Sequence, residues 1–440
     1  MKVGYVGLGA LGGELARRFI GKHELYVWDL NPLVLETFRG LGANVASSAA
    51  DLGKQCDAVI VCLPRSSDVL HLVSGPDGLA AGLSAGKIVI DQTSGIPAET
   101  RKIAALLSET GVQMMDAAVS ASPQIVASGG ATLMVAGPDD LYDRALPLLE
   151  TMAGTIYRCG SRIGDGQAMK MVNNAMNGAC RMGMLEIVAM GIKAGLPLER
   201  ITTEVNESRL GRSQVTEKML PALVEGRAST RFGLPLMLKD ITQAMMLGIE
   251  VGVPLPITSA VRGLLQVGVN TLGNGSQLED MVGVIGKMAG TSIGPDGPEN
   301  KPETEAAGLD AGAVGSLVEA AMFALGQLVT YECTALGVAF GLRLKDISTV
   351  INSSSGWSGA SRVLLPALLA GDRSPVRSLR EVAEKLCQAC VLGSKVGAPM
   401  FVANQIRCIY EQAAVDAGEN ADVAEVAGVI EVVSGVRFAQ

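Results

Sequence analysis

Histidine is almost missing: His23 and His71 are the only two in 440 residues. His23 falls in a helix-to-strand turn, structural roles are expected for both, and a general base has to be sought among other side chains. A basic excess is missing too. The 36 Lys and Arg against 44 Asp and Glu leave a net charge of −8, which argues against a general nucleic-acid surface. No uninterrupted apolar run reaches membrane-spanning length, so no membrane partner is expected. The first strand pattern starts at residue 2 and leaves no room for a cleavable leader. Paired cysteines are scarce as well. Cys56, Cys62, Cys159, Cys180, Cys333 and Cys408 are isolated, mostly in apolar stretches, and read as reduced core residues of a cytoplasmic protein. Cys387 and Cys390 form a single CxxC inside a helical pattern, with no second pair and no nearby histidine, so no metal is expected.

What the chain does have is a glycine fingerprint at its start. Gly7, Gly9 and Gly12 occur in Val6-Gly-Leu-Gly-Ala-Leu-Gly, and Asp29 follows 20 residues after Gly9. Lys2 to Val6 reads as a strand, Leu11 to Ile20 as a helix and Glu24 to Trp28 as a second strand ending on Asp29. This is the first βαβ unit of a dinucleotide-binding fold. Gly7 permits the tight turn, Gly9 lets backbone approach a pyrophosphate, and Gly12 lets helix pack close on strand. Ala10 and Leu11 lead into the helix and are candidate cofactor contacts, and the helix's N–H groups and positive dipole end face the phosphates. Asp29 is placed to accept from a ribose 2′-hydroxyl and to repel a 2′-phosphate, and Leu30, Asn31 and Pro32 bring no arginine for one. NAD is therefore expected in preference to NADP; otherwise Asp29 caps the following turn.

Residues 1–163 alternate strands with helical stretches. Ala58–Pro64, Lys87–Asp91 and Thr132–Ala136 read as buried strands of a mostly parallel sheet. After the glycine-rich Cys159–Gly166 the pattern turns helical and repeats. Glu186–Leu196 matches Glu332–Leu342 at an offset of 146, and Leu220-Pro-Ala-Leu223 matches Leu365-Pro-Ala-Leu368 at 145. Register held over such a distance exceeds chance apolar similarity. The expected fold is an α/β Rossmann-type domain (1–163) followed by two tandem all-α domains, 164–290 and 313–440, joined by a Pro- and Gly-rich linker over 291–312.

The first helical domain opens with Gly164-Asp-Gly-Gln-Ala-Met-Lys-Met-Val-Asn-Asn174. On a helix Lys170, Asn174 and Asn177 share one face. A lysine and two amides facing a cleft can bind and orient a hydroxyl. Lysine in water titrates near 10.4, about three units too high for a base at neutral pH, and burial beside Met169 and Met171 would lower it. The alternative is a solvated helix face carrying one charge.

With these motifs the chain resembles the β-hydroxyacid dehydrogenase family, which includes 3-hydroxyisobutyrate and tartronate semialdehyde enzymes. The resemblance covers about residues 1–290. It rests on the glycine fingerprint, Asp91-Gln-Thr-Ser-Gly95 with Pro97, Asp116-Ala-Ala-Val-Ser120 followed by Gly129-Gly130, the Gly164–Asn174 segment, and Leu238-Lys239-Asp240. It implies that Lys170 is the catalytic lysine and Asn174 the substrate-orienting amide. It also implies that Ser120 starts the substrate-carboxylate loop, and that Leu63, Pro64, Thr93 and Lys239 contact the cofactor near its nicotinamide half. Read without the family, Thr93 and Ser94 are candidates to cap the helix near Pro97, and Lys239 is a surface charge.

There are departures. Ala121 and Ser122 stand where the family carries two glycines, which narrows the pocket and adds a hydroxyl. Asn177 stands where decarboxylating relatives carry a glutamate, which favours simple oxidation. In the second repeat Ser316 and Ala320 replace Lys170 and Asn174, so that repeat is expected to serve packing, in place of a partner subunit; monomer and homodimer both remain open. The expected activity is NAD-dependent oxidation of a small β-hydroxy acid, or the reverse reduction. Reduction of another carbonyl or an imine, and a non-catalytic NAD(H)-binding regulatory role, are the alternatives.

Overall fold

The computed structural model describes residues 1–295, 309–372, 377–418 and 420–438. These form two compact units, Met1–Lys170 and Met171–Gln440. The first is built on eight strands: β1 (Lys2–Val6), β2 (Glu24–Trp28), β3 (Asn44–Val45), β4 (Ala58–Val61), β5 (Ile88–Asp91), β6 (Gln113–Ser120), β7 (Thr132–Ala136) and β8 (Thr155–Gly160). Their order is β3-β2-β1-β4-β5-β6-β7-β8. All neighbours are parallel except β6 and β7. Helices cover both faces, so β4 and β5 are buried at every position and read as continuous apolar runs. Alternate residues serve opposite cores: Ile60 and Ile90 pack on one side, Val59, Val61 and Val89 on the other.

Boundaries moved at the edges of elements. The strand expected to reach Pro64 ends at Val61, because the chain leaves the ladder before a proline that has no N–H to give. The one expected from Lys87 starts at Ile88. The first helix spans Ala10–Arg17, and Arg18 to Lys22 close in tight turns through Gly21 at φ +75°. The strand order reverses between β1 and β4. Open α/β sheets bind ligands at such a switch point, outside the carboxyl ends of the strands.

The second unit is helical, and the sequence repeat is visible in it element by element. The Asp165–Lys193 helix, which runs into this unit, corresponds to Ala311–Phe340. Gln214–Val224 corresponds to Gly359–Leu369, each with a serine capping box (Ser213, Ser358) and an internal proline (Pro221, Pro366). Leu234–Val251 corresponds to Leu379–Val396, each closed by a left-handed glycine, Gly252 and Gly397. The contacts between the repeats are reciprocal. Glu186 accepts from the N–H groups of Phe401 (3.1 Å) and Val402 (2.9 Å). Glu332 accepts from those of Ile257 (2.9 Å) and Thr258 (2.8 Å). Each long helix thus caps the start of a helix in the other repeat. Of the expected linker, residues 296–308 lie outside the described residues.

The Ala311–Phe340 helix is long and apolar enough, by length and composition, to cross a membrane, although Glu319, Gln327 and Glu332 interrupt the run; 78% of its apolar window is buried inside the fold. Its hydropathy is accounted for by its place in the core of the second unit.

The reciprocal glutamates make stability depend on pH. Burial pushes Glu186 up to about 8 and Glu332 to about 7, despite the N–H groups that favour the charged form. Both lie above the unfolded value of about 4.3. Folding therefore favours the protonated form. That contribution is complete below the unfolded value and drains away as pH rises through about 7–8. The Tm is expected to fall from about pH 4.5 to about pH 8 and to level off above that, and Glu332→Gln to flatten the slope while lowering Tm at low pH. An unchanged slope in the variant would contradict this assignment.

Candidate active site

The glycine fingerprint builds an open cradle. Gly7 has φ +90°, and a Cβ there would lie 2.2 Å from the Cys62 carbonyl oxygen. A Cβ at Gly12 would lie 2.1 Å from the Gly7 carbonyl oxygen. At Gly9 a Cβ would meet nothing within 4 Å. The first two glycines are thus required by close packing, and the third faces the space a pyrophosphate needs. The helix beginning at Ala10 has Gly9 as its N-cap, with no side chain spent on its first N–H groups. Asp29 Oδ2 accepts from Leu8 N–H (2.7 Å) and Oδ1 from Asn31 N–H (2.8 Å). It therefore both ties the glycine loop to β2 and caps the next turn. Each carboxylate oxygen keeps a second lone pair, so this does not compete with binding a ribose hydroxyl.

A cavity of about 320 Å³ opens here, lined by Gly9, Ala10, Asp29, Asn31, Phe38 and Arg17 among others. Arg17 is a residue that reading along the chain missed. Its guanidinium lies over the Phe38 ring at 5.4 Å and pairs with Glu14 at 3.4 Å. The donor set, the open glycine and the acid at the strand end fit a dinucleotide.

The start of the lysine helix is held by two buried acids. Asp91 and Asp116 are register neighbours on β5 and β6. Asp116 accepts from Gly164 N–H (2.6 Å) and Gln167 N–H (2.8 Å), anchoring the first turn. Asp91 accepts from Thr93 N–H (2.9 Å) and from Gln167 Nε2 (3.3 Å). Burial pushes Asp91 up to about 6 and Asp116 to about 7. Thr93 Oγ1 accepts from Leu63 N–H at 3.1 Å, so the loops after β4 and β5 are joined. Leu63 is half-buried and Pro64 exposed. Neither Thr93 nor Ser94 caps the helix at Pro97, whose N-cap Ile96 makes no side-chain cap. Ser94 instead accepts from Lys170 Nζ. Lys170 is half-buried between Met169 and Met171, both buried. It is not a charge on a solvated face.

One turn on, in the second unit, Asn174 Nδ2 donates to Asp240 Oδ2 at 2.7 Å. Asp240 is itself buried, and Lys239 pairs with its other oxygen at 3.3 Å. Asp240 thus links the two residues expected to handle substrate and cofactor. Its place in the Leu238-Lys239-Asp240 motif was the only signal for it. Asn177 Nδ2 donates to Gln214 Oε1 (3.2 Å) and the Ser355 carbonyl (2.8 Å).

Ser120 ends β6 opposite Thr132, and Ala121 and Ser122 follow, half-buried. Ser122 caps the short helix Pro123–Ala127 by accepting from Ile125 N–H. The side chain that departs from the double glycine therefore has a local structural task. His23 packs on Phe19 and meets Thr151 Oγ1 at 3.3 Å, and His71 lies on the helix Ser66–Ser74. Among the described residues no group of three or more His, Cys, Asp or Glu is placed to hold a metal.

Comparison with known proteins supplies the frame. Residues 2–160 match the family described as the NAD-binding domain of 6-phosphogluconate dehydrogenase. Residues 164–285, and again 311–430, match the NAD-binding family of NADP-dependent 3-hydroxyisobutyrate dehydrogenase. The 2-(hydroxymethyl)glutarate dehydrogenase of Eubacterium barkeri is 30% identical over 298 residues, 67% of this chain and 97% of that protein. The L-threonate dehydrogenase of Cupriavidus necator is 28% identical, over 64% of this chain and 94% of its own length. The structure of Mycobacterium tuberculosis 3-hydroxyisobutyrate dehydrogenase with L-serine shares the fold, with a TM-score of 0.61 at 24% identity over 64% of this chain and 98% of that one. Each of these proteins is spanned almost whole by about two thirds of this chain.

Proposed function

This chain belongs to the β-hydroxyacid dehydrogenase family, and we propose that it oxidises a small β-hydroxy acid, or reduces the matching carbonyl, with Lys170 as the general acid–base group and NAD as the preferred cofactor. The observation that carries the reading is Lys170 itself. It is half-buried, bonded to Ser94, on a helix whose first turn is anchored by Asp116. A nicotinamide held here would supply the acceptor for the hydride that leaves the carbinol carbon. The backbone from Ser120 to Ser122 binds the substrate carboxylate. Asn174, oriented by Asp240, holds the hydroxyl, and Lys170 Nζ takes its proton as the C=O bond forms. Asn177 borders this face. Gly7, Gly9, Ala10, Leu11, Gly12 and Asp29 would hold the adenosine and phosphate half of the cofactor, and Leu63, Pro64, Thr93 and Lys239 the other.

The two stretches 164–290 and 313–440 are two copies of one helical domain. The second takes the place of a partner subunit, so the chain carries one active site. The substrate class is tested by offering a panel of small hydroxy acids with NAD and following NADH absorbance. Turnover confined to β-hydroxy acids supports the reading; turnover only of imines or unrelated carbonyls would replace it.

Cofactor choice rests on two side chains. Asp29 repels a 2′-phosphate and Arg17 attracts one. The wild type is expected to prefer NAD, and Asp29→Ser to move the ratio of kcat/KM toward NADP by on the order of ten-fold or more, since the repulsion goes and Arg17 stays. Kinetics with both cofactors decide it; a wild type that already prefers NADP contradicts the role given to Asp29.

A further inference from the structure

The second repeat has lost the lysine and the asparagine, yet it reaches the helix that carries them. Asn173, next to the substrate-orienting Asn174, is fully buried. Its amide is held from the second repeat at both ends. Ser354 Oγ donates to Asn173 Oδ1 at 2.7 Å, and Asn173 Nδ2 donates to Ser355 Oγ at 2.8 Å. The same Nδ2 also reaches Asn174 Oδ1 at 3.3 Å. Asn174 is therefore held on one side by Asn173 and on the other by Asp240. A Cβ at Gly356 would lie 2.8 Å from Asn173 Oδ1, so the segment fits closely only with glycine there. One turn further, the Ser355 carbonyl takes Asn177 Nδ2.

The repeat supplies an internal comparison. At the offset of 146, Ser354 corresponds to Ser208 and Asn173 to Glu319. Ser208 Oγ donates to Glu319 Oε1 at 2.8 Å, and Arg377 pairs with the same carboxylate at 2.8 Å. The serine contact is thus kept on both sides, but one side closes on an amide beside Asn174 and the other on an ion pair. The segments have diverged to match: Ser354-Ser-Gly-Trp-Ser358 in one repeat, Ser208-Arg-Leu-Gly-Arg-Ser213 in the other.

We propose that Ser354, Ser355 and Gly356 of the second repeat are positioning residues for the active site of the first, fixing the Asn173 amide and through it the orientation of Asn174. The fused second copy then does more than bury a face. Fusion lets one copy keep the chemistry and the other specialise its loop, which two identical subunits sharing one sequence could not do. This rests on the role proposed for Asn174.

The test compares matched variants in the full chain. Ser354→Ala with Ser355→Ala, and separately Gly356→Ala, are expected to lower kcat for a hydroxy-acid substrate by about 10–100-fold, with NADH affinity unchanged, while Ser208→Ala stays within about two-fold of wild type. Ser354→Thr, which keeps the hydroxyl, is expected to retain most activity. Equal losses on the two sides, or unchanged kcat in the first set, overturn the proposal. If the wild type turns over no hydroxy acid, the functional reading fails, and amide hydrogen exchange decides this one. Exchange at residues 172–177 is expected to rise in the double serine variant and not in Ser208→Ala; the same exchange in both overturns it.

Discussion

Lys170→Ala is expected to lower kcat by about 10²–10⁴-fold, the usual contribution of a positioned acid–base group. NADH affinity should persist, because the cradle at Gly7, Gly9 and Gly12 and the carboxylate of Asp29 lie on other elements. Folding should persist as well. Lys170 is half-buried, and what anchors the first turn of its helix is Asp116, through Gly164 and Gln167, not the lysine. Lys170→Arg should not rescue turnover, since a guanidinium does not give up its proton near neutral pH. Steady-state rates with NADH binding measured alongside separate the outcomes. Near-normal turnover in the alanine variant would remove Lys170 from the reaction, and loss of NADH binding with it would show that the lysine holds the fold rather than the proton.

A chain ending at Met288 is expected to aggregate, or to dimerise through the bared face, and to lose activity. The Asp165–Lys193 helix is buried along most of its length after Lys170. Removal of the second repeat strips the N–H donors of Phe401 and Val402 from Glu186, and both serines from Asn173. The bared apolar face would exceed the largest patches of ordinary monomers, about 300–600 Å². Size-exclusion chromatography and thermal melts read the result. A truncated chain that stays monomeric, equally stable and fully active would contradict the account of the second repeat.

The glycine fingerprint was legible because three spacings, a strand on each side and an acid at the right distance all constrain one local unit. The repeat was legible because capping serines, helix-internal prolines and C-terminal glycines recur in register. β3 was not, because two residues carry no periodicity. Arg17 is not legible as a cation for this site because it reaches the Asp29 cavity from the first helix rather than from the chain that follows β2. In the sequence Ser94 is a candidate cap, and only the fold shows Lys170 reaching it. The contacts of Asn173 with Ser354 and Ser355 join residues 181 and 182 apart. No local pattern points across that distance. Asp116 and Asp240 lay in recognisable motifs, but their tasks, anchoring one turn and orienting one amide, depend on contacts that only the fold supplies.

The central claim is hydride transfer from the carbinol carbon of a small β-hydroxy acid. It is tested most directly with a substrate from the panel carrying deuterium on that carbon, with mass spectrometry of the reduced cofactor. The account predicts one deuterium in NADH from the wild type, and a rate of labelling that collapses in Lys170→Ala. NADH that binds at one equivalent per chain, with no label transferred from any β-hydroxy acid, would contradict it.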